Sequence, residues 1–248
     1  MIIKSGRRFI QEHSLDKTKI DLMLSRLRGT LNQVNPKDLK NIFHIDYRNL
    51  ATTSDLTLKE SSQSRLSKAQ QEFLIKSVAG FNSTFPDSER IKPELDSFGG
   101  REGNMISHID HFLRTMVLVG YNEGITINKE EPIFLSSGEK KGKSDYVINR
   151  DNTPRIVLRL IRKEDRKIRG TDPELAFAAN IFEMYATYWK NPIWDVYGCI
   201  TDLNSWNFCK FDGNEFHRCS KTQKLVLSPP SIVALALKFI DIIDPSKE

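Results

Sequence analysis

Gly142-Lys-Ser-Asp145-Tyr-Val-Ile148, then Asn149-Arg-Asp-Asn-Thr-Pro154, then Arg155-Ile-Val-Leu-Arg-Leu-Ile161 is the stretch that decides the fold. Two short runs rich in β-branched residues, at Asp145 to Ile148 and Arg155 to Ile161, flank a polar segment of turn-forming residues, so they read as two strands joined by a turn. Upstream, Pro132 to Leu135 is a further β-type run. Glu102 to Val119 places Ile106, Ile109, Phe112, Leu113, Met116 and Val117 at helical spacing. Downstream, Asp172 to Trp189 reads as a helix with Pro173 just inside its start. Val196 to Thr201 and Trp206 to Phe211 read as two strands around a tight turn at Asp202 to Ser205, and Ile232 to Ile243 as a closing helix after Pro229. The order α, β, β, β, α, β, β, α predicts an α+β or α/β domain, a mixed sheet flanked by helices.

The amino-terminal part has a different pattern. Ile20, Met23, Leu24, Leu27 and Leu31 predict a helix from Asp16 to Leu31, and Pro36 followed by Leu39, Ile42 and Phe43 predicts a shorter one. Ala51 to Ser67, rich in Ser and Thr, reads as a loop, and a further helix from Ser67 to Phe81 carries Ala69, Phe73, Leu74 and Val78 on one face. Pro86, Pro93 and Gly99-Gly100 mark a boundary. The expected organisation is a helical amino-terminal region over 1–82, a linker over 83–100 and an α/β domain over 101–248.

With 248 residues, 39% of them hydrophobic and 28% charged, the chain is long enough for one or two folded domains and too apolar to stay disordered. No apolar run reaches the roughly 18 residues of a membrane helix, and the beginning turns polar too soon for a secretory leader. Cys199, Cys209 and Cys219 match no zinc spacing and are too few for a disulfide framework. The expectation is a reduced, intracellular protein of the cytoplasm or nucleus, with no membrane partner.

The net charge of +5 is concentrated. Residues 140–169 hold eleven basic side chains against four acidic ones, a local +7, while the rest of the chain totals −2. Such a block suits a phosphate backbone, because each Lys or Arg that neutralises a phosphate releases counterions. Other chemistries fall away. Gly138-Glu-Lys-Lys-Gly142-Lys143-Ser144 is one residue short of a phosphate-binding loop, and a strand rather than a helix follows it. His108 and His111 flank Asp110 on a helix, three residues apart, and half-buried or surface histidines are the commoner outcome of such a pair than a metal site.

The segment from Glu102 to Phe211 resembles the PD-(D/E)XK nuclease superfamily, the restriction-endonuclease-like fold. In that family a first helix carries a Glu near its start, a hairpin presents an Asp, and the next strand carries Glu-x-Lys. Glu102 opens the helix here, Gly142-Lys-Ser-Asp145 is similar to the Asp strand, Pro154 to Ile161 to the strand after it, and Tyr197-Gly-Cys-Ile-Thr201-Asp with Trp206-Asn-Phe208 to the family's later hairpin. The resemblance implies Mg²⁺ held at Asp145, because Mg²⁺ takes oxygen ligands. At the next strand the chain departs from the motif, with Arg159 in the place of the Glu and Ile161 in the place of the Lys. A cation then stands where a metal ligand belongs.

Three readings follow. The first is a nucleic-acid-binding protein on a nuclease-like fold with an inactive site and no cofactor, contacting the DNA or RNA backbone through Lys140, Lys141, Lys143, Arg155, Arg159, Arg162, Lys163, Arg166, Lys167 and Arg169. The second is an Mg²⁺-dependent phosphodiesterase with a rearranged site of Glu102, Asp145, Lys163 and Glu164. The third is a protein-interaction module acting through its helical regions, similar to crinkler-type effectors. Trp206, Trp189 and Tyr188 are candidate stacking surfaces in the first reading, with Trp189 the one expected in the core.

Overall fold

In the computed structural model, the turn between the two deciding strands is two residues long, Asp151 and Asn152, with φ of 50° and 60°. Both are residue types that accept a left-handed backbone, and a turn with both central residues there matches the twist of an antiparallel pair. The structure describes residues 18, 21–22, 25, 34, 36–43, 50–53, 56, 66–83, 100–120, 124–134, 138–161, 173–190, 195–202, 205–213, 215–219, 223–224 and 229–244. Most of the expected helix at 16–31 and of the boundary at 83–100 lies outside them.

The elements are α1 (Pro36–Phe43), β1 (Ala51–Thr53), α2 (Lys68–Ser83), α3 (Gly100–Gly120), β2 (Ile125–Phe134), β3 (Lys140–Arg150), β4 (Thr153–Leu160), α4 (Pro173–Lys190), β5 (Val196–Thr201), β6 (Ser205–Phe211), β7 (Phe216–Cys219), β8 (Gln223–Lys224) and α5 (Pro229–Ile243). The fold is α+β, a mixed sheet flanked by helices. Seven strands run in the order β1-β7-β6-β5-β4-β3-β2, and β8 pairs with β6 beside that path. β2, β3 and β4 form an antiparallel meander, and β5 lies parallel to β4. A parallel neighbour requires a crossover, which α4 provides.

Strand alternation sorts the side chains between two layers. Tyr146 and Ile148 of β3, Ile156, Leu158 and Leu160 of β4, and Trp206 and Phe208 of β6 join one core with α3 and α5. Val157, Val196, Ile200, Cys209 and Phe211 join a second core with α4, against which Leu39 of α1 also packs. Close approach is needed at Gly198: a Cβ there would lie 2.1 Å from Asn180 Oδ1, 2.4 Å from Met184 Sδ and 2.5 Å from Cys209 Sγ. Glycine lets α4 sit directly on β5.

Several sequence readings change. Ala51–Thr53, expected in a loop, is a strand that pairs in parallel with β7. Among the described side chains of α2 the buried one is Leu74, with Ile75 and Val78 partly buried, whereas Ala69 is exposed and Phe73 turns to solvent. The helix begins with a capping box: Ser67 Oγ accepts from Gln70 N–H at 3.3 Å and Gln70 Oε1 accepts from Ser67 N–H at 2.8 Å. Gln70 Nε2 also donates to the Val119 carbonyl at 2.7 Å, joining α2 to the end of α3. Leu56, Leu66 and Leu74 enter the same core as α3 and α5, so residues on both sides of 83–100 share it.

Candidate functional site

The β3–β4 register pairs Tyr146 with Leu158, and Asp145 and Arg159 are the next residues along the two strands from that pair. Side chains alternate along a strand, so the two share the other face, and this face meets α4. Arg159 Nη1 donates to Glu183 Oε1 on α4, and both side chains are buried, Glu183 completely. Asp145 Oδ2 accepts from the Leu160 N–H at 2.8 Å, which holds its carboxylate against the edge of β4. Asn180, one turn before Glu183, donates Nδ2 to the Val157 carbonyl at 3.1 Å and fixes α4 over β4. The centre is therefore an acid, a guanidinium and a second acid, set on three elements.

The electrostatics follow from burial. Desolvation pushes the Glu183 carboxyl up to about 7; Arg159 opposes the rise, and the Asp145 charge adds to it. Glu183 Oε2 is buried with no hydrogen-bond partner. Removing water from a carboxylate costs several kcal/mol, and the guanidinium returns part of that through a charge-assisted bond. Toward the edge of the sheet, Lys143 pairs with Glu130, whose backbone has the left-handed φ of 52°.

The expected phosphate-binding residues have varied fates. Lys140 is exposed. Lys141 is buried, pairing with Glu139 at 2.7 Å and donating to the Ser25 carbonyl at 3.3 Å. Arg155 is buried, and desolvation lowers its pKa against the opposing pull of Tyr197, Asp195 and Asp244. Arg162, Lys163, Glu164, Arg166, Lys167 and Arg169 lie outside the described residues. Glu102 falls in the first turn of α3, and its side chain lies outside those described.

The proposed stacking rings belong to the core. Trp206 is buried with its ring 5.9 Å from Phe112 and from Phe239, and Tyr188 is buried with its ring 4.9 Å from Phe211. Trp189 packs partly buried against the same cluster as Tyr188. His111 Nε2 is 3.1 Å from the Ser77 carbonyl, so this histidine bridges α3 and α2. All three cysteines are buried and free.

Glu183 is the site residue that sequence reasoning missed. A signal was present: from Leu175 to Trp189 it is the single charged residue in an otherwise apolar and neutral helix. A lone charge in such a run must be buried and partnered.

Fold and site together define a mixed α+β sheet protein with a buried Arg159–Glu183 pair, flanked by the half-buried Asp145, beneath its crossover helix. No protein-family model matches the chain, and no curated protein matches it. Among the described residues no group of three or more His, Cys, Asp or Glu is placed to hold a metal ion, and no helix is long and apolar enough to cross a membrane.

Proposed function

We propose that this chain binds nucleic acid on a restriction-endonuclease-like fold whose PD-(D/E)XK site does not cut. The order of helix, three-stranded meander, crossover helix and parallel strand supports the fold. It gives Asp145 the middle strand of the meander and Arg159 the next one, the two positions on which the resemblance rests. One observation carries the functional reading: Arg159, standing where the motif calls for a carboxylate, spends its charge on Glu183 beside Asp145. A guanidinium remains protonated in proteins, so this centre has a fixed positive charge in place of a ligand.

Binding of phosphate then falls to Lys140, exposed at the start of β3, and to the basic run of the sequence at Arg162, Lys163, Arg166, Lys167 and Arg169. Reversing charge at Lys140, Arg166, Lys167 and Arg169 is expected to weaken binding to single- and double-stranded probes by at least ~10-fold. The slope of log affinity against log salt should fall by roughly one for each phosphate that is no longer neutralised. Fluorescence anisotropy over a salt series measures both quantities. Binding indifferent to salt and to these changes refutes the proposal, as does Mg²⁺- or Mn²⁺-dependent cleavage abolished by Asp145→Ala.

A further inference from the structure

The nuclease-like reading implies a divalent cation at Asp145, and the residues around Asp145 do not fit one. Mg²⁺ demands near-octahedral oxygen ligands. Asp145 has Oδ2 committed to the Leu160 N–H, and Glu183 Oε1 is taken by the Arg159 guanidinium. Glu183 Oε2 is a buried oxygen with no hydrogen-bond partner, and the positive charge that opposes its burial is the protein's own Arg159. Two carboxylates from different elements lie near enough for the charge of Asp145 to act on Glu183, and the guanidinium of Arg159, on the strand beside Asp145, is bonded to Glu183.

We infer that Arg159 is a built-in counter-cation: its guanidinium does the charge-neutralising work of a divalent ion between Asp145 and Glu183 and closes the site to such an ion. The inference rests on the nuclease-like reading for its choice of cation; its chemistry rests on the three side chains. Removing the guanidinium leaves two acids, one of them fully buried, with a net negative charge and an opening of about the volume of the lost side chain. Such a site takes up a divalent cation because the ion then supplies what the arginine did.

The test uses Mn²⁺ as the probe, followed by calorimetry and by the electron paramagnetic resonance of free Mn²⁺ on the full chain without nucleic acid. Wild type is expected to show no binding at this centre. Arg159→Ala is expected to bind one ion per chain at least ~10-fold more tightly than wild type, a difference of ~1.4 kcal/mol or more. That binding should vanish in Arg159→Ala combined with Glu183→Gln, and likewise with Asp145→Asn. Folded Arg159→Ala that takes up no Mn²⁺ overturns the inference.

Should Arg159→Ala fail to fold, wild type decides. A melting temperature raised by Mn²⁺ in wild type but not in Asp145→Asn overturns the inference, and an unchanged melting temperature in both supports it. Nucleic-acid binding measured in the presence of a chelator separates the two claims. Its absence defeats the proposed function and leaves the counter-cation standing; Mn²⁺ uptake by wild type does the reverse.

Discussion

Replacing Arg159 with Leu tests the buried centre most directly. In the wild type, burial holds the Glu183 carboxyl at about 7 against an ordinary value of 4.5. A group whose pKa is raised on folding contributes stability that is complete below its unfolded value and lost as pH rises through its folded value. At 1.36 kcal/mol per unit, the loss between about pH 4.5 and pH 7 amounts to roughly 3 kcal/mol. Arg159 limits this loss, since it is the largest opposing influence on Glu183.

Without Arg159, Glu183 holds its proton to higher pH and the loss of stability continues further into the alkaline range. Breaking a buried ion pair by removing one partner costs ~3–5 kcal/mol when the other stays charged. Because the variant keeps Glu183 protonated instead, the expected cost of Arg159→Leu near pH 8, one unit above the wild-type value, is smaller, ~1.4 kcal/mol on top of the lost hydrogen bond. Near pH 5.5, where Glu183 is neutral, the expected cost shrinks to about that of one hydrogen bond, ~1 kcal/mol. Arg159→Leu with Glu183→Leu should be more stable than Arg159→Leu near pH 8 and should lack the loss with rising pH that Glu183 gives wild type, because neither member of the pair is then present. Urea denaturation followed by the fluorescence of the buried Trp206 gives all the free energies. Equal costs for Arg159→Leu at the two pH values, or a double variant no more stable than the single one near pH 8, refute the reasoning.

Three further outcomes are expected. Gly198→Ala drives a methyl group against Asn180, Met184 and Cys209 and should lower stability by ~1–3 kcal/mol in chemical denaturation, as overpacking does. Leu74→Ala should cost ~2–5 kcal/mol, whereas Phe73→Ser on the next, solvent-facing position should stay within about 0.5 kcal/mol, measured by thermal and urea unfolding. Burial, aided by His111, lowers the pKa of His108 below 6.5; the stability this residue contributes is complete above pH 6.5 and lost as pH falls from there. His108→Gln should therefore flatten the decline on the acid side that wild type shows in a pH series of melting temperatures.

Where the chain advertised its structure, it did so through local periodicity. The meander strand around Asp145, the strand from Arg155, the apolar stripe of α3 and the closing helix α5 each have a pattern that a window of a few residues displays. β1 and β7 have none. Ala51-Thr-Thr53 looks like the loop around it and becomes a strand only because His217, Arg218 and Cys219 lie beside it after folding. Phe73 misled for a related reason: on a helix laid over two others, a shift of one position decides which apolar residue faces inward. At the site, Asp145 and the anomaly at Arg159 were legible. The partner that gives Arg159 its meaning was not, because Glu183 arrives from an element whose angle over the sheet is set by packing at Gly198 and Asn180.

The pairing of β1 with β7 also bears on how the molecule is made. Thr53 finds its partner at Cys219, so the outer edge of the sheet joins residues more than 160 positions apart. On a ribosome, synthesis proceeds from the amino terminus at ~5–20 residues per second. β1 therefore leaves the exit tunnel well before its template exists, and its three residues gain their backbone bonds only after the more than 160 residues up to β7 have emerged. This seam is expected to close late, since pairings distant in sequence are slow to form. Until it closes, β7 offers an open edge to any neighbouring chain.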